Sequence, residues 1–335
     1  MPRALNPQIT RFILANVGAR PDDIGPLTAK RFAVTRATAS NYLRRLTDEG
    51  LLSARGATRA RSYSLKHVVH LRGIARIETG VEDDAVWRRD IRPRLEGLPQ
   101  AVMQVCQYGF TAAVSNALDH SKGSSFTWWM RQDAASVELG VTDDGTGVFE
   151  TLRRGFGLED DRRAILELAK GGLSTAPDRH AGRGLYLIAR MFDRLTLASG
   201  RLAYVHGEPG GAAVRMLSAP IGGTSVSLRA EIATPRSLSE VMGRHDRGPV
   251  GGWATEVPVC LAGIDGEPLV SRSQARRLMA RLEAATRVTL DFDGVELIGQ
   301  DFAHEIFAVF RSEHRGIQLG AINANRAIRS ILAGL

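Results

Sequence analysis

Four short segments stand in a set order along the middle of this chain: Asn116-Ala117-Leu118-Asp119-His120, Asp143-Asp144-Gly145-Thr146-Gly147, Gly182-Arg183-Gly184 and Gly223-Thr224. Each falls where a regular element should begin or end. Apolar positions from Val102 to Leu118 fit a long helix carrying Asn116, Asp119 and His120 at its end. Ser136 to Thr142 alternates as a strand and runs directly into Asp143, a carboxylate placed to accept from an amino group. Gly145 and Gly147 let the backbone turn sharply and approach a ligand closely. Gly182 and Gly184 open an apolar helix, where free backbone N–H groups and the helix dipole favour an anion. The stretch before them, with Lys170-Gly171-Gly172 and Pro177, has the composition of a lid. Taken singly, each segment reads as a cap, a turn or a solvated surface. Order and spacing are what unite them into one site.

In this order the segments resemble the N, G1, G2 and G3 boxes of the GHKL superfamily, whose members include histidine kinases, gyrase and Hsp90. The resemblance implies a Bergerat α/β sandwich that binds ATP under a flexible lid. It implies an ATP-binding set of Asn116, Asp119, His120, Asp143, Gly145, Gly147, Gly182, Gly184 and Thr224. Within it the Asn116 oxygen would coordinate Mg²⁺, a hard ion that takes few protein oxygens and several from phosphate and water. Asp143 would read the adenine amino group, His120 would meet phosphate, and the Thr224 hydroxyl would help hold a water beside adenine. One departure matters. Catalytic members carry a Glu one helical turn before the Asn, and here that position is Ala112. Loss of a general base costs on the order of 10²–10⁴ in rate. No catalytic residue is therefore assigned, and Asp119 and Asp144 are the nearby acids that would have to substitute.

The charge of the chain is segregated. Residues 1–66 hold twelve Lys and Arg against four acids, an excess equal to the whole formal net charge of +8. A basic module on a neutral body points to a polyanionic partner. Ile9, Phe12, Ile13 and Val17 predict a helix from about Asn6 to Val17, and Pro26 to Phe32 a short second one. Thr35 caps a third, in which Ala39, Leu43 and Leu46 face inward while Arg36, Ser40, Asn41, Arg44 and Arg45 lie largely opposite. Leu51 to Leu65, turning at Gly56, predicts a hairpin bearing Arg55, Arg59 and Arg61. The pattern resembles a winged helix-turn-helix. That resemblance implies a third helix reading base edges of double-stranded DNA in the major groove and wing arginines on phosphates. The alternatives are a surface that serves solubility and a winged helix used for protein contacts.

Pro235 to Gly252 has the composition of a linker. After it, a helix from Leu269 to Ala284, a strand at Val288–Phe292, a helix after Gly299, a strand near Ile317–Asn323 and a last helix from Arg326 predict a small α/β layer domain. It resembles the STAS-like domains fused to GHKL-type domains in bacterial proteins. Where STAS antagonists carry a phosphorylated Ser after the strand, this chain reads Ile298-Gly299-Gln300-Asp301-Phe302, so phosphorylation in cis is not expected. A packing or dimerising surface, open to a protein partner, is expected instead. Asp291, Asp293 and Glu296 read as a solvated strand end, not a metal site.

Two widely separated cysteines, Cys106 and Cys260, build no disulfide framework, and no run of eighteen apolar residues marks a membrane span. A cytoplasmic setting, with no membrane partner, is expected. The expected architecture is multidomain α+β: a winged helix at 1–66, a connector at 67–90, a GHKL-type α/β sandwich at 91–230 and a STAS-like domain at 253–335. The expected function is a homodimeric transcriptional regulator whose DNA binding is set by Mg·ATP, with hydrolysis weak or absent. The alternative is a protein Ser/His kinase or ATPase acting on a partner in trans.

Overall fold

The computed structural model describes residues 5–57, 61–173, 182–208, 211–245, 253–263 and 267–335. The N-terminal part is three helices, α1 (Pro7–Asn16), α2 (Ile24–Phe32) and α3 (Arg36–Asp48), followed by an antiparallel hairpin of β1 (Leu52–Arg55) and β2 (Ser62–Leu65). Ile9, Ile13, Val17, Ile24, Leu43, Leu46 and Leu52 form its core. The Thr35 hydroxyl accepts from Thr38 N–H at 3.1 Å and starts α3, a cap worth about 1 kcal/mol.

The central part is an antiparallel five-stranded sheet in the order β3-β4-β5-β7-β6. Its strands are β3 (Val69–Arg76), β4 (Ser125–Gln132), β5 (Ser136–Asp143), β6 (Arg194–Glu208) and β7 (Gly211–Glu231). Alternation puts Phe126, Trp128, Met130, Val137, Leu139, Val141, Val226 and Leu228 on one buried face. The long helix α4 (Gln100–His120) packs on β5 and β7 and buries Val102, Val105, Cys106, Phe110, Ala113 and Ala117. Three further helices complete this layer: α5 (Val148–Phe156), α6 (Asp161–Lys170) and α7 (Gly184–Met191).

Two expected boundaries are corrected. The 67–90 connector contains β3, whose eight residues pair with β4, so the sheet begins some twenty residues before residue 91. Polar and apolar residues alternate there, which is how an edge strand with one solvated face reads. The 235–252 linker contains α8 (Leu238–Arg244), which starts at the Ser237 cap and buries Val241 in the central core.

The C-terminal part is a parallel three-stranded sheet in the order β10-β9-β8, formed by β8 (Trp253–Pro258), β9 (Ala285–Asp291) and β10 (Gln318–Ile322). Helix α9 (Arg272–Met279) is shorter than its apolar pattern suggests. A capping box between Ser271 and Gln274 starts it late, and Arg281 at φ +65° ends it early. Helix α10 (Gln300–His304) continues through a π-helical turn, Glu305–Phe310, into α11 (Arg311–Glu313), and α12 (Arg326–Leu332) closes the domain. Helix α6 joins the two larger parts. Ile165 and Leu168 belong to the central core, whereas Leu166 belongs to the C-terminal one.

Candidate functional site

A cavity of about 500 Å³ lies between α4, the C-terminal end of β5, α5, α6 and α7. That volume is within the range of small-molecule sites. One wall is a face of α4 that includes a four-residue stripe, Tyr108, Ala112, Asn116 and His120, flanked by Ala113, Ser115 and Ala117. A four-residue step keeps side chains on one helix face, so this stripe follows from the sequence period alone. Val141, Asp143, Thr224 and Val226 contribute from the sheet, Val148, Thr151 and Leu152 from α5, and Gly184, Tyr186 and Leu187 from α7.

Asp143 ends β5 and is buried. Its Oδ1 accepts from Gly145 N–H at 3.0 Å and from Thr224 N–H at 3.1 Å, which aims the carboxyl group. Burial pushes its pKa above the ordinary carboxylate range, against the pull of those two donors. The Thr224 hydroxyl accepts from Val148 N–H at 3.0 Å, so the end of β5, the turn before β7's last stretch and the start of α5 form one bonded unit. Two glycines make it possible. Gly147 lies at φ +95° and Gly223 at φ +68°, and a Cβ on Gly223 would sit 2.0 Å from the Asp143 carbonyl oxygen.

At the other end, Gly182 lies at φ +68° and Gly184 is the first residue of α7, with both lining the cavity. A helix start offers backbone N–H groups and the positive end of the helix dipole to an anion. Asn116 Nδ2 is buried and has no hydrogen-bond partner among the described residues, so a polar end of this side chain is left for a ligand. No group of three or more His, Cys, Asp or Glu among the described residues is suited to hold a metal.

Two expected site residues fall elsewhere. Asp119 is exposed, accepts from Ser115 Oγ at 3.3 Å and does not line the cavity. Gly145 does not line it either and packs on Ser121, whose carbonyl oxygen would lie 2.0 Å from an added Cβ. Asp144 is held well below the usual carboxylate range by the hydroxyl and backbone donors of Ser124 and Ser125, with four bonds between 2.6 and 3.0 Å. Neither Asp119 nor Asp144 lines the cavity. Asp143 is the one carboxylate among the described residues that line the cavity. Tyr108, Arg183 and Tyr186 also line it. Of these, Tyr108 was legible from its place two turns before Asn116.

On the N-terminal part, Arg36, Ser40, Asn41 and Arg44 are exposed along α3, and Arg44 Nη2 donates to Asn41 Oδ1 at 2.7 Å. Arg45 is only half-exposed and pairs with Glu49 at 3.9 Å. Arg55 and Arg61 are exposed on the hairpin, with Arg61 over the Tyr63 ring. Arg59 lies outside the described residues. No helix among the described residues is long and apolar enough to cross a membrane.

Residues 81–217 match the family described as a histidine kinase-like ATPase domain, and residues 274–329 match a STAS-like domain of unknown function. No curated protein matches the chain. The two matches support a multidomain α+β protein with a histidine-kinase-like ATPase domain in the middle and a STAS-like domain at the C-terminal end. They leave residues 1–80 uncovered.

Proposed function

We propose that this protein is a nucleotide-gated DNA-binding regulator, in which Mg·ATP in the central cavity sets how an N-terminal winged helix engages double-stranded DNA. The observation that carries the nucleotide half is Asp143, a buried carboxylate held by Gly145 and Thr224 at one end of a cavity whose other end offers Asn116 and the start of α7. Asp143 would accept from the adenine amino group. Asn116 would supply one oxygen to a Mg²⁺ bound with the nucleotide, and Gly182, Gly184 and His120 would face the phosphates. Bound magnesium would neutralise phosphate charge. The residues themselves bind and orient.

With Ala112 where a general base would stand, ATP acts as a ligand and not as a fuel. Occupancy then changes the DNA-binding state only through its different affinity for the two conformations. The DNA half rests on the charge excess of residues 1–66 and on the exposed row Arg36, Ser40, Asn41 and Arg44 along α3. Paired half-sites would call for a homodimer.

The test uses the full chain in two steps. Calorimetry with ATP, ADP and a non-hydrolysable analogue, with and without Mg²⁺, reads the cavity. Fluorescence anisotropy against a random-sequence duplex pool, at several salt concentrations and with and without ATP, reads the DNA. Binding that weakens steeply with salt, that is lost on Arg36→Ala/Arg44→Ala and that changes with ATP is expected. No adenylate binding at millimolar concentration would reject the nucleotide half, and no salt-dependent DNA binding would reject the other. Phosphate turnover abolished by Asn116→Ala would favour the alternative of a kinase or ATPase acting in trans.

A further inference from the structure

The C-terminal sheet has an open edge. In the order β10-β9-β8, strand β8 pairs with β9 on one side only, so the outward N–H and C=O of Glu256 need partners elsewhere. Helix α7 supplies both. Glu256 N–H donates to the Tyr186 hydroxyl at 2.8 Å, and the Arg190 guanidinium donates to Glu256 C=O. The two α7 side chains are themselves locked together, with the Arg190 guanidinium 3.6 Å from the centre of the Tyr186 ring. Tyr186 is 1% exposed, and its hydroxyl also bonds His245 Nδ1 at 3.1 Å beyond the end of α8.

The same helix forms part of the cavity wall, where Gly184 and Tyr186 line it. One element therefore carries both the cavity wall, through Gly184 and Tyr186, and the edge contacts of the next domain, through Tyr186 and Arg190. A second seam runs beside it. Lys170 ends α6, is 1% exposed, and its ammonium donates to Glu167 at 2.7 Å and to the carbonyls of Ala280 and Arg277 at 2.9 and 3.1 Å. Thr255 Oγ1 of β8 donates back to the Lys170 carbonyl at 2.6 Å. These are buried, saturated polar contacts, which hold two rigid bodies in one register more firmly than apolar packing alone.

We infer that α7 transmits occupancy of the cavity to the C-terminal domain, with Tyr186 as the positioning residue that ties the helix to the open edge of β8. The inference rests on the nucleotide reading above and adds where its signal goes. A ligand that draws the start of α7 toward its phosphates shifts Tyr186 and Arg190 as a unit, and β8 must follow or lose its edge partners. By reciprocity, whatever engages the C-terminal domain alters affinity for the nucleotide by the same factor.

Hydrogen–deuterium exchange on the full chain tests this, read over β8 and α9 with and without saturating Mg·ATP, alongside calorimetry on the same samples. The wild type should show slowing at β8 of about tenfold on ATP, within the usual range of coupling between sites. Tyr186→Phe keeps the ring against the cavity and removes only the hydroxyl. Because Tyr186 lines the cavity, calorimetry on this variant sets the ATP concentration that saturates it, and at that saturation it should lose most of the ATP-dependent change at β8. Arg190→Met, outside the cavity lining, removes the other α7 partner of the β8 edge. It should bind ATP and show a reduced change, and it serves if Tyr186→Phe folds poorly. A merely structural contact would instead raise exchange equally in both ligand states. ATP binding with no response at β8 in the wild type, or a full response in both variants, overturns the inference. Absence of ATP binding in calorimetry overturns the nucleotide reading itself, and this inference with it.

Discussion

The Asp143 carboxylate accepts a hydrogen bond from the Thr224 backbone N–H at 3.1 Å, joining positions 81 residues apart in the chain. Because that bond and the one from Gly145 both end on Oδ1, the group is aimed before any ligand arrives. Asp143→Asn retains an acceptor for both backbone donors and turns the remaining face into a donor. It should lower ATP affinity by about 10- to 100-fold, or roughly 1.4–2.8 kcal/mol, as measured by calorimetry. The melting temperature should not fall, since burial disfavours the ionised carboxylate at neutral pH and Asn removes that cost.

Ala112 lines the cavity one turn before Asn116. Ala112→Glu places a carboxylate where a general base belongs and should raise phosphate release from a near-background rate by on the order of 100-fold. The double variant Ala112→Glu/Asn116→Ala should return it to background. A steady-state phosphate assay reads both, and no gain in Ala112→Glu would mean that more than a base is missing.

Lys170 and Glu167 are a buried ion pair at the seam between two domains. Lys170→Met strands Glu167 and leaves the Arg277 and Ala280 carbonyls without this donor. It should destabilise the protein by about 3 kcal/mol, read as a shift of the urea midpoint. Replacing both as Glu167→Leu/Lys170→Met should recover part of the loss, because no buried charge then remains unpaired.

Burial pushes the pKa of His206 down from 6.5 to about 3, and that of His245 down to about 4, with Arg190 adding to both. Each imidazole stays neutral in the folded protein while the unfolded chain takes up a proton below pH 6.5. Their contribution is therefore fully present above pH 6.5 and is lost as pH falls toward 4 and 3. Melting temperatures measured from pH 7.5 to pH 4.5 should fall, and His206→Gln should flatten that acid limb. An unchanged slope in the variant would assign the limb to other groups.

Local patterns carried a good deal of this. The period of Ile9, Ile13 and Val17, the Thr35 cap, the alternation from Ser136 to Asp143 and the four-residue stripe through Ala112, Asn116 and His120 are all properties of neighbouring residues. Where elements were missed, the pattern was weak for a physical reason. Strand β3 has one solvated face and reads like a loop, and α8 is seven residues long in a glycine-rich stretch. The resemblance implies Asp119 as part of the segment Asn116–His120, whereas in the folded helix it is exposed and outside the cavity lining.

From the order of residues alone follow the element types, the segregation of positive charge into residues 1–66 and the absence of an acid at position 112, because these depend on composition and short-range period. The three-dimensional arrangement was needed for the rest. It set Thr224 against Asp143, left Asn116 Nδ2 without a partner among the described residues, and closed the β8 edge with Tyr186 and Arg190. Contacts between residues some eighty positions apart depend on how whole faces pack, and no local period encodes which distant donor will reach a given acceptor.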